Sequence, residues 1–145
     1  MQADRILFAT DFSHCGDEAM ALATSLARDT GATIHIVHVE EPPMAYGTGH
    51  MYYGNPGPTR AELSELLHKV VPTDLAVPHE HHLIMGDPAT ALVEYAEKNS
   101  IDAIVLGTHG RSGVFRLLMG SVAEHVVRHA KCPVVTVRHP RDANA

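Results

Sequence analysis

Cysteine is scarce in this chain of 145 residues, which contains only Cys15 and Cys132, far apart in the sequence. Two isolated cysteines do not make a disulfide framework, so reduced thiols fit this pattern better. Neither belongs to a CxxC pair, so we do not expect thiol redox catalysis. The length suits one ordinary domain over residues 1–145 with a hydrophobic core that needs no cross-link.

Long hydrophobic runs are also missing. No apolar stretch approaches the roughly 20 residues that cross a bilayer, and the composition of 45% hydrophobic and 19% charged residues is that of a globular protein. The opening MQADR leads directly into a strand-like ILFAT, without the pattern of a secretory signal. We therefore expect a cytoplasmic protein without a membrane partner.

Positive charge is in deficit, since the formal net charge is −6 and the isoelectric point is near 6.0. Nucleic-acid binding is driven by clustered lysine and arginine, so DNA and RNA are not expected as partners. A small anion remains compatible with an acidic protein, because one local group of main-chain amides can hold a phosphate.

Apolar, β-branched runs alternate along the chain with segments of helical periodicity. Strands are predicted at 5–10, 32–39, 78–86, 101–107 and 132–137, and helices within 13–31, 59–71, 87–100 and 121–130. This alternation predicts an α/β fold, a doubly wound, mostly parallel sheet of five strands. We expect the strand order 3-2-1-4-5, a common arrangement of such sheets. Residues 40–58, with four prolines and four glycines, predict a long loop, and 139–145 predict a short flexible tail.

The helix ends carry local signals. The first helix is predicted to begin at a Ser13 cap and to end at Gly31, and the third to begin with Asp87 and Pro88. Capping boxes are predicted at the second and fourth helices, formed by Thr59 with Glu62 and by Ser121 with Glu124.

The segment GTHGRSGVFRLLMGS, residues 107–121, is unusually rich in glycine. In a doubly wound sheet, ligands sit beyond the carboxyl ends of the strands, where the strand order reverses. That rule brings Asp11, Val39 and Gly107 to one crevice. Gly107 and Gly110 would turn the chain so that main-chain amides face a ligand, while Gly120 and Ser121 begin a helix whose positive end attracts phosphate.

The usual phosphate-binding motifs are absent, since the chain has neither G-x-x-x-x-G-K-[ST] nor G-x-G-x-x-G after its first strand. Instead, Gly107, Gly110, Gly120 and Ser121 satisfy G-x2-G-x9-G-[ST], the nucleotide-binding signature of the universal stress protein family. The resemblance covers nearly the whole chain through RILFATDFS, HVEEP, GDPATALVEYA, DAIVLGTHGRSG and GSVAEHVVRHAKCPVVTV. The chain thus resembles the ATP-binding subgroup of that family.

The resemblance implies a homodimer that binds ATP, with or without Mg²⁺ or Mn²⁺ on the phosphates. Asp11 would lie by the adenosine, and the Val39 main chain would bond the adenine edge. The turn at Gly107, Thr108 and Gly110 would border the ribose and phosphates. Ser121 and the Val122 amide would contact the phosphates. Independently of the resemblance, the place of Arg111 inside the glycine loop favours a phosphate contact over an ordinary surface charge. Ala9 departs from the proline that the family often has two residues before the aspartate.

Other interpretations stay open. Ser121 and Asp11 could each act only as a helix cap. The alternative function is a slow ATPase or nucleotidyl-transfer enzyme on the same fold, although the chain lacks the S-G-G-x-D-S and H-x-G-H motifs of related enzymes. A third interpretation is an interaction module with an empty pocket. No catalytic residue is assigned. HEHH at 79–82 puts His79 and His81 on one strand face and His82 on the other, so no metal site is expected.

The last strand supplies the expected dimer contact. PVVTV is short and apolar at a sheet edge, and Pro133 fits only at its start or at an edge. A twofold partner pairing through 134–137 would satisfy both edges.

Overall fold

The computed structural model describes residues 2–13, 16–42, 57–108 and 120–138. The elements, in chain order, are β1 (Arg5–Ala9), α1 (Asp17–Thr30), β2 (Thr33–Glu40), α2 (Arg60–His68), β3 (His79–Met85), α3 (Pro88–Lys98), β4 (Ala103–Gly107), α4 (Ser121–His129) and β5 (Val134–Val137). All nine predicted elements are present; eight have somewhat shorter bounds, and β2 is shifted by one residue. Most of the predicted loop, 43–56, and the predicted tail, 139–145, lie outside the described residues.

The five strands form one sheet in the order β3-β2-β1-β4-β5, and each neighbouring pair is parallel. The predicted strand order and the doubly wound α/β class are therefore confirmed. The order reverses between β1 and β4, because the chain crosses from β3 at one edge to β4 beside β1. That reversal places the ligand-binding switch point at the ends of β1 and β4.

Two hydrophobic cores cover the two faces of the sheet. The first joins α1 and α2 to the sheet, and its buried members include Ile6, Phe8, Ala23 and Leu67. The second joins α3 and α4 to the opposite face through residues that include Leu7, Leu92, Ala96 and Val126. Since β1 lies between both cores, its centre is apolar without alternation, as expected of a strand buried on both faces.

Three of the predicted helix ends are confirmed. Thr59 and Glu62 form the reciprocal capping box at α2, and the Asp87 side chain accepts the Thr90 amide at α3. Gly31 ends α1 in a left-handed conformation with φ 78°, which glycine adopts without a steric penalty.

Two predicted caps are wrong. The N-cap of α1 is Gly16 and no side chain caps it, whereas Ser13 lies three residues earlier and its hydroxyl is buried without a partner in the described part of the chain. The N-cap of α4 is Gly120, again without a side-chain hydrogen bond. Ser121 is the first helical residue, so its hydroxyl does not form the capping box that the sequence predicts with Glu124.

None of the helices in the described ranges combines the length and the apolar character needed to span a bilayer.

Candidate functional site

The candidate site begins with a step in the carboxyl edge of the sheet. β1 ends at Ala9, whose register partner in β2 is Val37, while β2 continues to Glu40. β4 likewise ends at Gly107, beside Val137 of β5. The two central strands thus stop short of the end of β2.

Asp11 occupies the turn that follows β1. Its carboxylate accepts the Ser13 amide at 3.0 Å, and the Thr10 amide still bonds to the Val37 carbonyl at 3.0 Å. Register also fixes its level relative to β4, because Phe8 pairs with Val105 and Asp11 and Thr108 each follow three residues later. Asp11 and Thr108 therefore lie at the same level, side by side at the switch point.

The start of α4 is tied to the end of β4 by main-chain bonds. Thr108, which is buried, donates its amide to the Val137 carbonyl at 3.0 Å and accepts the Gly120 amide at 2.6 Å. The first intrahelical bond runs from the Glu124 amide to the Gly120 carbonyl at 3.0 Å. The amides of residues 121–123 accordingly have no acceptor inside the helix and point out of its N-terminus.

Val39 lies two residues beyond the last register pair between β2 and β1, opposite Ile84 of β3. Main-chain groups of a parallel strand face alternate neighbours, and the Val37 carbonyl bonds to the β1 side. Val39 lies two residues after Val37, so its main-chain groups also face the β1 side, beyond the point where β1 ends. Its side chain is buried in the second core.

An ion pair closes the β2 side of this edge. The Glu40 carboxylate binds Arg60 at 2.5 Å, and the same guanidinium donates to the Leu83 carbonyl at 3.0 Å. Because Arg60 is the first residue of α2, the pair holds that helix against the ends of β2 and β3.

The predicted residues therefore divide into two groups. Asp11, Gly107, Thr108, Gly120, Ser121 and Val122 gather around the ends of β1 and β4, with Val39 across the step in β2. Gly110 and Arg111 lie outside the described residues, as do the tyrosines of MYY at 51–53.

One feature of this edge was not predictable from the sequence. Phe12 adopts φ 70°, a conformation that is rare for a bulky residue. Its amide bonds to the Thr10 hydroxyl at 3.0 Å, its ring lies 4.3 Å from the His38 ring, and His38 Nδ1 lies 2.7 Å from the Thr10 carbonyl. Phe12 and His38 thus fix the turn that carries Asp11, through contacts between β1 and β2 that sequence spacing does not reveal.

This arrangement suits an extended ligand with an anionic end. Amides at a helix N-terminus carry partial positive charge and bind phosphate or carboxylate groups. A main-chain edge such as that of Val39 can bond a planar polar ring, and the Asp11 carboxylate can accept hydrogen bonds from hydroxyl groups.

Comparison with known proteins agrees with this architecture. The model of the universal stress protein family matches residues 2–138. A universal stress protein of Methanocaldococcus jannaschii is 33% identical over 148 aligned residues, which cover 94% of this chain and 83% of the relative.

Two solved structures share the fold at lower identity. A universal stress protein in complex with cAMP is 24% identical, with a TM-score of 0.68 over 95% of this chain and 98% of the other. The universal stress protein of Archaeoglobus fulgidus in complex with dAMP is also 24% identical, with a TM-score of 0.66 over 94% of this chain and 98% of the other. With the family match spanning nearly all of its length, this chain belongs to the universal stress protein family.

Proposed function

We propose that this chain binds ATP at the carboxyl edge of its sheet and acts as a nucleotide-responsive regulator in the stress response, not as an efficient enzyme. The observation that carries the proposal is the junction of β4 and α4. There the Gly120 amide bonds to the Thr108 carbonyl, and the amides of residues 121–123 have no acceptor inside the helix. The Ser121 side chain is exposed and does not form the predicted cap. That junction has the chemistry of a phosphate site.

The adenosine end would occupy the step between β1 and β2. The main-chain groups of Val39 would bond the adenine edge, and Asp11 would accept from the ribose. Adenine nucleotides bound to two structural neighbours, cAMP in one and dAMP in the other, support this ligand class. The triphosphate would then run toward α4, with Gly107 and Thr108 below it and with Gly110, Arg111, Ser121 and Val122 around it.

A divalent ion would reach the site with the nucleotide. Mg²⁺ and Mn²⁺ prefer oxygen ligands, which the phosphates supply. Efficient phosphoryl transfer also needs cationic clamps and a positioned nucleophile. The glycine-rich segment 107–121 contains no lysine, so we expect ATP to be held rather than turned over.

Calorimetric titration of the full chain with ATP and with GTP tests this function. A main-chain edge that fits adenine leaves a polar group unpaired against guanine, so ATP should bind at least about tenfold more tightly than GTP. ADP release above a trace rate during the same incubation would support the slow ATPase. Absence of binding to either nucleotide would contradict the proposed function.

A further inference from the structure

Three metal-ligating side chains meet on the face of the sheet that α3 covers. They are His35 in β2 and Glu80 and His82 in β3. His35 and Glu80 are register partners, and His82 lies two residues further along the same strand face. The ligand atoms of the three groups all lie within 4.8 Å of one another.

We propose that His35, Glu80 and His82 form a Zn²⁺ site with water as the fourth ligand. The Glu80 Oε1 atom lies 2.9 Å from His82 Nε2 and 3.9 Å from His35 Nδ1. Tetrahedral zinc, with bonds of about 2.0–2.2 Å, holds its ligand atoms roughly 3.4 Å apart. The two separations bracket that value, so small side-chain rotations complete the site.

The ligands are held on a stiff frame. Two of them come from one strand and the third from its hydrogen-bonded neighbour, so the spacing is set by sheet geometry. The His35 and His82 rings are stacked, with centroids 5.6 Å apart and planes 19° apart. Tyr95 of α3 packs against both, its hydroxyl 2.8 Å from His35 Nδ1 and its ring 5.5 Å from His82. The shared strand frame and the packing of the Tyr95 ring limit the movement of the imidazoles on binding.

The donor set selects the ion. Two imidazoles with one carboxylate suit zinc, whereas magnesium and calcium prefer all-oxygen sites. The Tyr95 hydroxyl must give up its hydrogen bond to His35 Nδ1 when zinc binds there.

Zinc has a path into this site from solvent. β3 is an edge strand, and Glu80 is exposed while His82 is half-buried and His35 is buried. The cluster is also separate from the proposed nucleotide site, because Glu80 precedes the end of β3 by five residues, or roughly 16 Å of strand. Zinc binding can therefore be tested independently of ATP.

The test is calorimetric titration of the chelator-treated full chain with Zn²⁺ alone. We expect one tight equivalent in the wild type. Glu80→Gln and His82→Gln should each weaken it by more than the roughly 10- to 100-fold typical of outer-shell changes. Both positions reach solvent, so these variants should fold, which circular dichroism checks. The matched control is the double variant His79→Gln, His81→Gln, on the other face of the same strand, which should keep the tight equivalent.

Three outcomes would overturn the site. These are a wild type that binds no zinc, equal zinc affinity in all variants, and loss of the tight equivalent only in the His79, His81 control. In each case the Glu80–His82 and His35–Tyr95 hydrogen bonds would be the whole role of the cluster.

Discussion

Substitution of Ser121 distinguishes a structural role of its side chain from a ligand-binding role. Because its hydroxyl makes no cap bond, Ser121→Ala should change the free energy of unfolding by less than about 0.5 kcal/mol. The same change should weaken ATP binding roughly 10- to 100-fold, the effect of losing a hydrogen bond to a charged group. Urea unfolding and calorimetry measure the two quantities.

Thr59→Ala is the matched control for that prediction. Thr59 caps α2 through the Glu62 amide at 3.1 Å, so its loss should cost about 0.5–2 kcal/mol of stability and leave ATP affinity unchanged. If Ser121→Ala were the destabilising variant and ATP affinity did not change, Ser121 would be a structural residue and the proposed phosphate contact would be wrong.

Cys132 should be a slow nucleophile. Burial raises the pKa of its thiol, and the Asp102 carboxylate adds to the effect, so little thiolate is present near pH 7.5. Iodoacetamide should label it much more slowly in the native protein than in urea, as followed by peptide mass spectrometry. Equal labelling rates in the two states would show that the folded environment does not protect it.

The start of α3 should depend on pH. The hydrogen bond from the Thr90 amide lowers the pKa of Asp87 below 3.8, so the folded state favours the carboxylate. Its contribution to stability is therefore complete above the unfolded pKa and is lost as pH falls through the lowered folded value. Asp87→Ala should cost about 1 kcal/mol near pH 7 and progressively less below about pH 4.

Urea unfolding at several pH values measures that difference, and Asp87→Asn is the control, because asparagine caps a helix about as well without titrating. A cost of Asp87→Ala that stayed constant down to pH 3 would contradict the role of the charged carboxylate.

Helix caps are predicted correctly from the sequence when their hydrogen-bond partners are close along the chain. The caps at Thr59 and Asp87 involve partners three residues away, and both are confirmed. The cap predicted at Ser121 is wrong because the Gly120 amide instead reaches the Thr108 carbonyl, twelve residues back along the chain. Tertiary contacts of that kind override a local capping pattern.

The same reasoning explains the histidines. The pattern HEHH correctly separates His79 and His81 from His82, since strand faces alternate. It cannot place His35 opposite Glu80, because that pairing comes from the register between β2 and β3. The expectation of no metal site considered one strand alone, whereas the cluster spans two.

For the molecule as a whole, alternating strands and helices were sufficient to predict the parallel sheet, because the apolar runs are bounded by clear turn residues. Its strand order is a common one among doubly wound sheets. For the site, the sequence predicted only that it lies where the carboxyl ends of the strands come together. Its details, such as the positive φ of Phe12 and the contact with His38, depend on packing between strands that are distant in sequence.

Dimer formation is predicted to use the free edge of β5. Pro133 and Val137 direct their carbonyls to β4. Because successive residues of a parallel strand direct their main-chain groups to opposite sides, the Thr136 amide faces away from β4. Thr136→Pro should remove an intermolecular donor while keeping the bonds to β4, and should convert the dimer to a monomer in analytical ultracentrifugation. Thr136→Val keeps the amide and should remain dimeric.

A dimer that survives Thr136→Pro, with the fold intact by circular dichroism, would place the subunit contact elsewhere.

The central claim is that the edge formed by β1, β2, β4 and α4 holds ATP. A crystal structure of the full chain grown with excess ATP tests it most directly. We predict adenine against the Val39 main chain and phosphate oxygens within hydrogen-bond distance of the amides of residues 121–123. An empty edge, or ATP bound at another surface, would contradict the account.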